Sequence, residues 1–300
     1  MRSSTLLLAA LSWVPALMVA ADNVTYKHFD CGTDASKATK DFLNTVEALH
    51  SDSVLGSAAS RSNAKKIASR ATTTITVDTY FHVVTKASNQ GSVTPKMVSD
   101  QLMALNAAYG ANNIKFNLKN TTYTVNDAWA VGNSTNDAAM KKALRRGTYA
   151  ALNIYFQTDL YGNILGQCTL PANVGSNPSP SVYVSDGCNV QAATMPGGNI
   201  AGYNLGKTAV HETGHWLGLL HTFEGYSCSG NGDFIADTPQ ESTSTDGCPA
   251  KPAKDSCSSV AGVDPIHNYM DYSTDACYTN FTPGQTQRMQ TMWSMYRSGK

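Results

Sequence analysis

His211-Glu212-Thr213-Gly214-His215-Trp216-Leu217-Gly218-Leu219-Leu220-His221 sets three imidazoles and one carboxylate at the spacing that a catalytic zinc ion requires. On a helix, residues i and i+4 stack on one face, so His211 and His215 present ring nitrogens to a common point about 2 Å from each. Glu212 lies beside them, placed to touch the fourth coordination position, where water sits, and not the metal itself. Gly218 matters as much as the histidines. A helix that ran straight on would carry His221 past the metal. A glycine in the left-handed conformation ends the helix and turns the chain back, which returns His221 as third ligand. With seven histidines and four glutamates in 300 residues, chance gives this pattern with a probability on the order of 10⁻⁵ or below. Without a metal, three packed imidazoles would be poorly solvated and would repel one another when protonated. His28, His50 and His82 lack any such pattern and read as isolated polar residues. Three neutral histidines leave a zinc ion one open position, where water is brought towards a pKa of about 7. Glu212 can take that water's proton as it attacks a polarised carbonyl, and can then protonate the leaving amine.

The chain begins Met1-Arg2, continues through an apolar run from Leu6 to Ala20 broken by Ser12 and Pro15, and reaches Ala20-Ala21 before Asp22. Residues 1–21 therefore read as a signal peptide, too short to span a bilayer core of ~30 Å. No later segment approaches 18 apolar residues, so a soluble, secreted product without a membrane partner is expected. Sequons at Asn23, Asn120, Asn133 and Asn280 are candidate glycosylation sites on such a route. Acidic and basic residues balance at 22 each, which provides no field to recruit nucleic acid or an anionic membrane.

An exported chain with seven cysteines pairs most of them and leaves one over. Cys31 stands alone in the first 70 residues, and the other six can close three bridges. An unpaired thiol on a removable segment can fill the open zinc position and keep an enzyme latent; the other reading is a structural thiol. Residues 22–70 have the character of such a propeptide. Asp41 to His50 suits one amphipathic helix, and Ser51 to Arg70, rich in Ser, Ala and Asn with Arg61, Lys65, Lys66 and Arg70, reads as an exposed, cleavable linker. A cut near Arg70 leaves 71–300, roughly 230 residues, enough for one domain with a substantial core.

Within that domain, Ile75 to Val84 alternates as a strand, and Thr94-Pro95 caps a helix carrying Met97, Val98, Leu102, Leu105 and Tyr109. Further strands are expected at Ile114 to Leu118 and Leu152 to Phe156, a helix around Asp137 to Arg146, and an edge strand at Val182 to Val184. Interleaved strands and helices make this an α+β fold with an α/β layer ahead of a histidine helix starting near Gly206 or Lys207. From Glu224 to Pro265 periodicity vanishes, and so long a loop is functional or held by cross-links. Its aspartates at 233, 237, 246, 255 and 264 suit either a calcium site or solvated turns. Thr282-Pro283-Gly284-Gln285 opens a last helix with Met289, Met292, Trp293 and Tyr296.

The histidine motif, followed by Asn268-Tyr269-Met270-Asp271-Tyr272, resembles that of the metzincin metallopeptidases. More closely, Tyr203-Asn204-Leu205-Gly206-Lys207-Thr208, Gly218-Leu-Leu-His-Thr-Phe223 and Phe281-Thr-Pro-Gly-Gln285 are similar to the pappalysin family of secreted fungal extracellular metalloproteases. The likeness covers most of residues 75 to 296. It implies a metzincin-like catalytic domain with a mixed twisted sheet, a long active-site helix, a Met-turn and a C-terminal helix. It implies Met270 as the hydrophobic floor of the zinc site and Tyr272 as a stabiliser of the tetrahedral intermediate. It further implies bridges Cys228–Cys257 and Cys248–Cys277, and Cys31 as zinc ligand in a latent form; Cys168 is then left to pair with Cys188. The function implied is a secreted zinc endopeptidase for protein or peptide substrates, made as a zymogen. A zinc hydrolase of non-peptide amides or esters and a non-catalytic zinc-binding protein are the alternatives. The second has no role for Glu212 and Tyr272, and the first has little need of latency.

Overall fold

A computed structural model describes residues 29–55, 74–175 and 179–300. The expected signal peptide, Asn23 and positions 56–70 of the linker lie outside them. Helix α1 (Lys40–Leu55) precedes strand β1 (Ile75–Thr85), helix α2 (Pro95–Gly110) and strand β2 (Ile114–Val125). Short helices α3 (Asp127–Val131) and α4 (Ser134–Leu144) lead to β3 (Leu152–Gln157) and β4 (Gly166–Cys168). Then come α5 (Pro180–Ser185), β5 (Cys188–Gln191), the histidine helix α6 (Lys207–Trp216) and α7 (Pro283–Met292).

The five strands form one mixed sheet in the order β2-β1-β3-β5-β4, parallel except for β4, which runs antiparallel to β5. A parallel β1–β2 pair needs a crossover, which α2 supplies; Thr94 caps it by accepting from Met97 N–H, and Pro95 fixes the first turn. Strand β1 alternates only to Thr79 and is buried from Phe81 onward, because α3 and α4 cover its second face through Ala130, Met140 and Val84. Central β3 is buried throughout. Helix α2 binds the histidine helix directly: Gln101 Nε2 donates to Gly206 O at 3.0 Å and Tyr109 Oη to Val210 O at 2.7 Å.

Several expectations need correction. Val182 to Val184 is not an edge strand but the middle of α5, started by Ser179 accepting from Val182 N–H and by Pro180 at the first helical position. The real edge is β4, three residues too short to show periodicity. Strand β2 runs to Val125, well past Leu118; as the other edge it needs only backbone pairing with β1, so its polar second half stays paired, its register shifted by one residue at Lys119. Helix α1 extends to Leu55, so Ser51 to Leu55 are helical and not linker. The histidine helix is ten residues, not long: Gly218 at φ 91° ends it, and a Cβ there would meet Met292 Cγ at 2.5 Å.

From Leu217 to Thr282 the chain forms turns without helix or strand, tied by Cys228–Cys257 and Cys248–Cys277; a third bond joins Cys168 in β4 to Cys188 in β5. Asn120, Asn133 and Asn280 are exposed. The loop aspartates do not gather into a metal site among the described residues. Asp233 accepts from Ile235 N–H, Asp255 from Cys257 N–H, and Asp237 from Thr282 Oγ1 and Gly284 N–H at the start of α7. Asp233 and Asp264 are buried, not solvated.

Candidate metal centre

His211 and His215 project from one face of α6, and the turn at Gly218 brings His221 back to them. The His215 Nε2 atom lies 3.1 Å from Nε2 of His211 and 3.1 Å from Nε2 of His221. Such convergence of three lone pairs is repulsive unless a cation sits between them. Two of the Nδ1 atoms are hydrogen-bonded elsewhere, to Tyr269 O at 2.8 Å for His211 and to Leu219 O at 2.9 Å for His215, while that of His221 faces Glu224 Oε2 at 3.8 Å, beyond hydrogen-bond reach. The two carbonyl contacts fix the tautomer of His211 and His215 that leaves Nε2 free to ligate. Burial, with repulsion from His221, holds the His211 and His215 rings well below the ordinary histidine range, in the neutral form that binds metal.

A fourth donor comes from far away in sequence. Cys31 Sγ lies 3.6 Å from His215 Nε2, and all four donor atoms fall within 4.8 Å of one another. Ligands at ~2.0 Å (nitrogen) and ~2.3 Å (sulfur) from one tetrahedral ion stand roughly 3.3–3.6 Å apart, so three histidines and a thiolate suit zinc in distance and in chemistry. Burial and the facing Glu212 carboxylate push the Cys31 thiol well above its usual value; a bound cation reverses that shift by favouring the thiolate. Cys248, His267 and Cys277 also converge, but the two sulfurs are bonded to each other and cannot ligate.

Residues Phe29 to Thr33 fill the cleft above the histidines and run beside β4, with one parallel bridge from Cys31 to Gly166. Leu165 N–H donates to Asp30 O and Gly32 N–H to Gly166 O, each at 2.8 Å. On its other side Gly166 makes room for the Glu212 side chain, since a Cβ there would meet Glu212 Cγ at 2.6 Å. The Phe29 ring lies 4.9 Å from both His211 and Tyr272, within an apolar cluster of Leu165, Ile200, Tyr203 and Phe223. Thr33 Oγ1 accepts from Cys168 N–H and lies 3.3 Å from Glu212 Oε2. The other Glu212 oxygen is buried with no hydrogen-bond partner, and burial pushes the carboxyl up to about 8.

Met270 is fully buried beneath the helix: a Cβ on Gly214 would meet its sulfur at 2.4 Å. Tyr272 accepts from Cys31 N–H at 3.2 Å, and its hydroxyl lies 3.4 Å from His221 Nε2. The structure thus brings Cys31, His211, Glu212, His215, His221, Met270 and Tyr272 together. Sequence reasoning missed Phe29, Gly166 and the Nδ1 partners. The small Gly166 beside Cys168 is a faint signal for the first two, whereas carbonyl partners leave none.

Residues 135–294 match the peptidase family M43, described as pregnancy-associated plasma protein-A. An extracellular metalloprotease of Neurospora crassa is 45% identical over 305 residues, covering 99% of each chain. The chain belongs to the M43 peptidases. Extracellular metalloprotease 1 of Coccidioides posadasii, another similar protein, is 49% identical over 228 residues, 75% of this chain and 79% of its own. Mature mirolysin of Tannerella forsythia, solved with a cleaved peptide, superposes with a TM-score of 0.62 at 28% identity, covering 74% of this chain and 92% of that one. A promirolysin variant shares the fold over 89% of this chain, with a TM-score of 0.67 at 24% identity. As an M43 peptidase with a metzincin-like α+β fold, the chain is a metalloendopeptidase with a catalytic metal.

Proposed function

We propose that the protein is a secreted zinc endopeptidase of protein or peptide substrates, and that the described structure is its latent precursor. The observation that carries this is the four-donor cluster of His211, His215, His221 and Cys31, in which three donors are on the catalytic domain and one is on the N-terminal segment. When bound, zinc supplies a positive charge that acidifies water and polarises a peptide carbonyl. Glu212 takes the proton of the attacking water and returns it to the leaving amine. Tyr272 donates its hydroxyl hydrogen to the oxygen that becomes negative, and Met270 keeps the floor beneath the histidines dry and rigid. The processed enzyme would span 71–300, with 22–70 as propeptide and 1–21 as signal peptide. Secretion fits the names of the relatives, three disulfides, and the absence among the described residues of any helix long and apolar enough to cross a membrane. Among the described residues, the exposed Asn120, Asn133 and Asn280 are candidate sites for glycosylation. Calcium is not needed for this reading.

Incubating the processed enzyme with a mixed peptide library, with and without chelator, tests the assignment. Chelator-sensitive cleavage that zinc restores supports it, and activity indifferent to chelation would overturn it. Tyr272→Phe is expected to lower kcat roughly 10²-fold with little change in KM, the usual cost of one lost oxyanion donor. Unchanged kcat would remove Tyr272 from that role. Reduction of the processed enzyme is expected to abolish activity before global unfolding. The turns that frame the site have one isolated backbone bridge, Asn268 to Asn280, and no strand, and each disulfide closing 29 residues there restricts the open chain by roughly 3–4 kcal/mol. Full activity with free thiols at Cys228 and Cys257, assigned by mass spectrometry, would refute this.

A further inference from the structure

We propose that Lys254 is a positioning residue for this centre: its ammonium group neutralises a buried carboxylate network that holds His221 and Tyr272 in register. The inference rests on the roles given above to those two residues. Lys254 Nζ lies 2.7 Å from Glu241 Oε1 and 2.8 Å from Asp264 Oδ2, both side chains being 0% exposed, and it also donates to Thr243 O. The other Glu241 oxygen accepts from Thr222 Oγ1 at 2.7 Å, one residue beyond His221. Glu241 Oε1 accepts in addition from Thr245 Oγ1 at 3.1 Å. Thr245 N–H then donates to Asp271 Oδ1 at 3.0 Å, and the same oxygen accepts from Tyr272 N–H at 2.7 Å.

One ammonium group therefore anchors two branches, Glu241–Thr222 behind the third histidine and Glu241–Thr245–Asp271 behind the tyrosine. Among the described residues no second cation forms an ion pair with Glu241 or Asp264. All of this lies in chain without helix or strand, so backbone ladders cannot substitute for it. Buried carboxylates left without a counter-charge repel one another and draw in water. The peptide units at 221–222 and 271–272 would move apart with them, and a displacement of about 1 Å at reacting groups can cost roughly 10²-fold. Loss of such supporting contacts typically weakens metal affinity or activity by roughly 10–100-fold.

The test compares Lys254→Ala, Lys254→Arg, Thr222→Val and Thr222→Ser in the processed enzyme, with zinc affinity measured by chelator competition and kcat and KM measured separately. Lys254→Ala is expected to weaken zinc binding and lower kcat by about tenfold or more while KM stays within about threefold. Lys254→Arg should recover most of the loss. Ethylammonium should partly restore kcat in the alanine variant where sodium at equal ionic strength does not. Thr222→Val should show a smaller loss of the same kind and Thr222→Ser none, which serves as the decisive pair where Lys254→Ala does not fold. Wild-type zinc affinity and kcat in Lys254→Ala, or in Thr222→Val where that variant replaces it, would overturn the proposal. Wild-type enzyme that needs no zinc would instead overturn the metal assignment.

Discussion

Glu212→Gln is expected to lower peptide hydrolysis by roughly 10³-fold or more while the protein keeps one zinc per molecule, since general-base removal alone costs about 10²–10⁴. The glutamine amide has the shape of the carboxyl and fits the same buried space against Gly166, so packing is retained and only basicity is lost. Neither oxygen of Glu212 belongs to the converging donor set, so metal affinity should barely change. His215→Ala is the counterpart. Its Nε2 is the donor 3.1 Å from both other histidines, and its removal should eliminate metal and activity together. Turnover of a quenched-fluorescence peptide beside metal content by mass spectrometry separates the two. Hydrolysis near wild-type in Glu212→Gln would disqualify Glu212 as the base. Zinc retained in His215→Ala would disqualify the ligand set.

The parts of this site legible in sequence are those written locally. His211, Glu212, His215, Gly218 and His221 lie within eleven residues, where helical geometry and one left-handed glycine determine the relative positions. The Met-turn and the loop bridges were accessible through family resemblance and not through periodicity, because the chain that carries them has none. Helix α2 and strand β1 were legible because a cap and an alternating core pattern coincide there. What stayed hidden depends on distant partners. Strand β4 has three residues, and its importance comes from Phe29 to Thr33 pairing along it. The Val182 to Val184 stretch has strand-forming side chains, yet Ser179 and Pro180 override them. Lys254 sits among loop residues whose carboxylates suggested calcium or solvent, and its ion pairs span ten to thirteen positions of irregular chain.

Cys31→Ser is expected to yield a precursor that cuts itself within residues 56–70 during expression. The substitution isolates the contribution of sulfur to latency, since besides the buried Phe29 ring it leaves two other anchors of the segment intact. One is the strand pairing of Asp30 and Gly32 with β4. The other is α1, where Phe42 and Val46 are fully buried against Leu220, Met292 and Tyr296, and Asp41 Oδ2 accepts from Tyr296 Oη at 2.8 Å. Burying two such side chains gives roughly 3–6 kcal/mol before the cost of ordering the segment, enough to keep it associated only while it is tethered. A thiolate ligand adds a direct bond and occupies the position the attacking water needs, which a serine hydroxyl, unionised near neutral pH, does poorly. Transient opening of the cleft should therefore be frequent in the serine variant, and each cut in the linker ends the tethering. The double variant Cys31→Ser with Glu212→Gln should remain uncut, identifying the cleavage as the protein's own. Intact-mass spectra of secreted material decide the matter: a serine variant as inert and full-length as the wild-type precursor would mean that pairing along β4 and docking of α1 suffice, and that Cys31 is a bystander to latency.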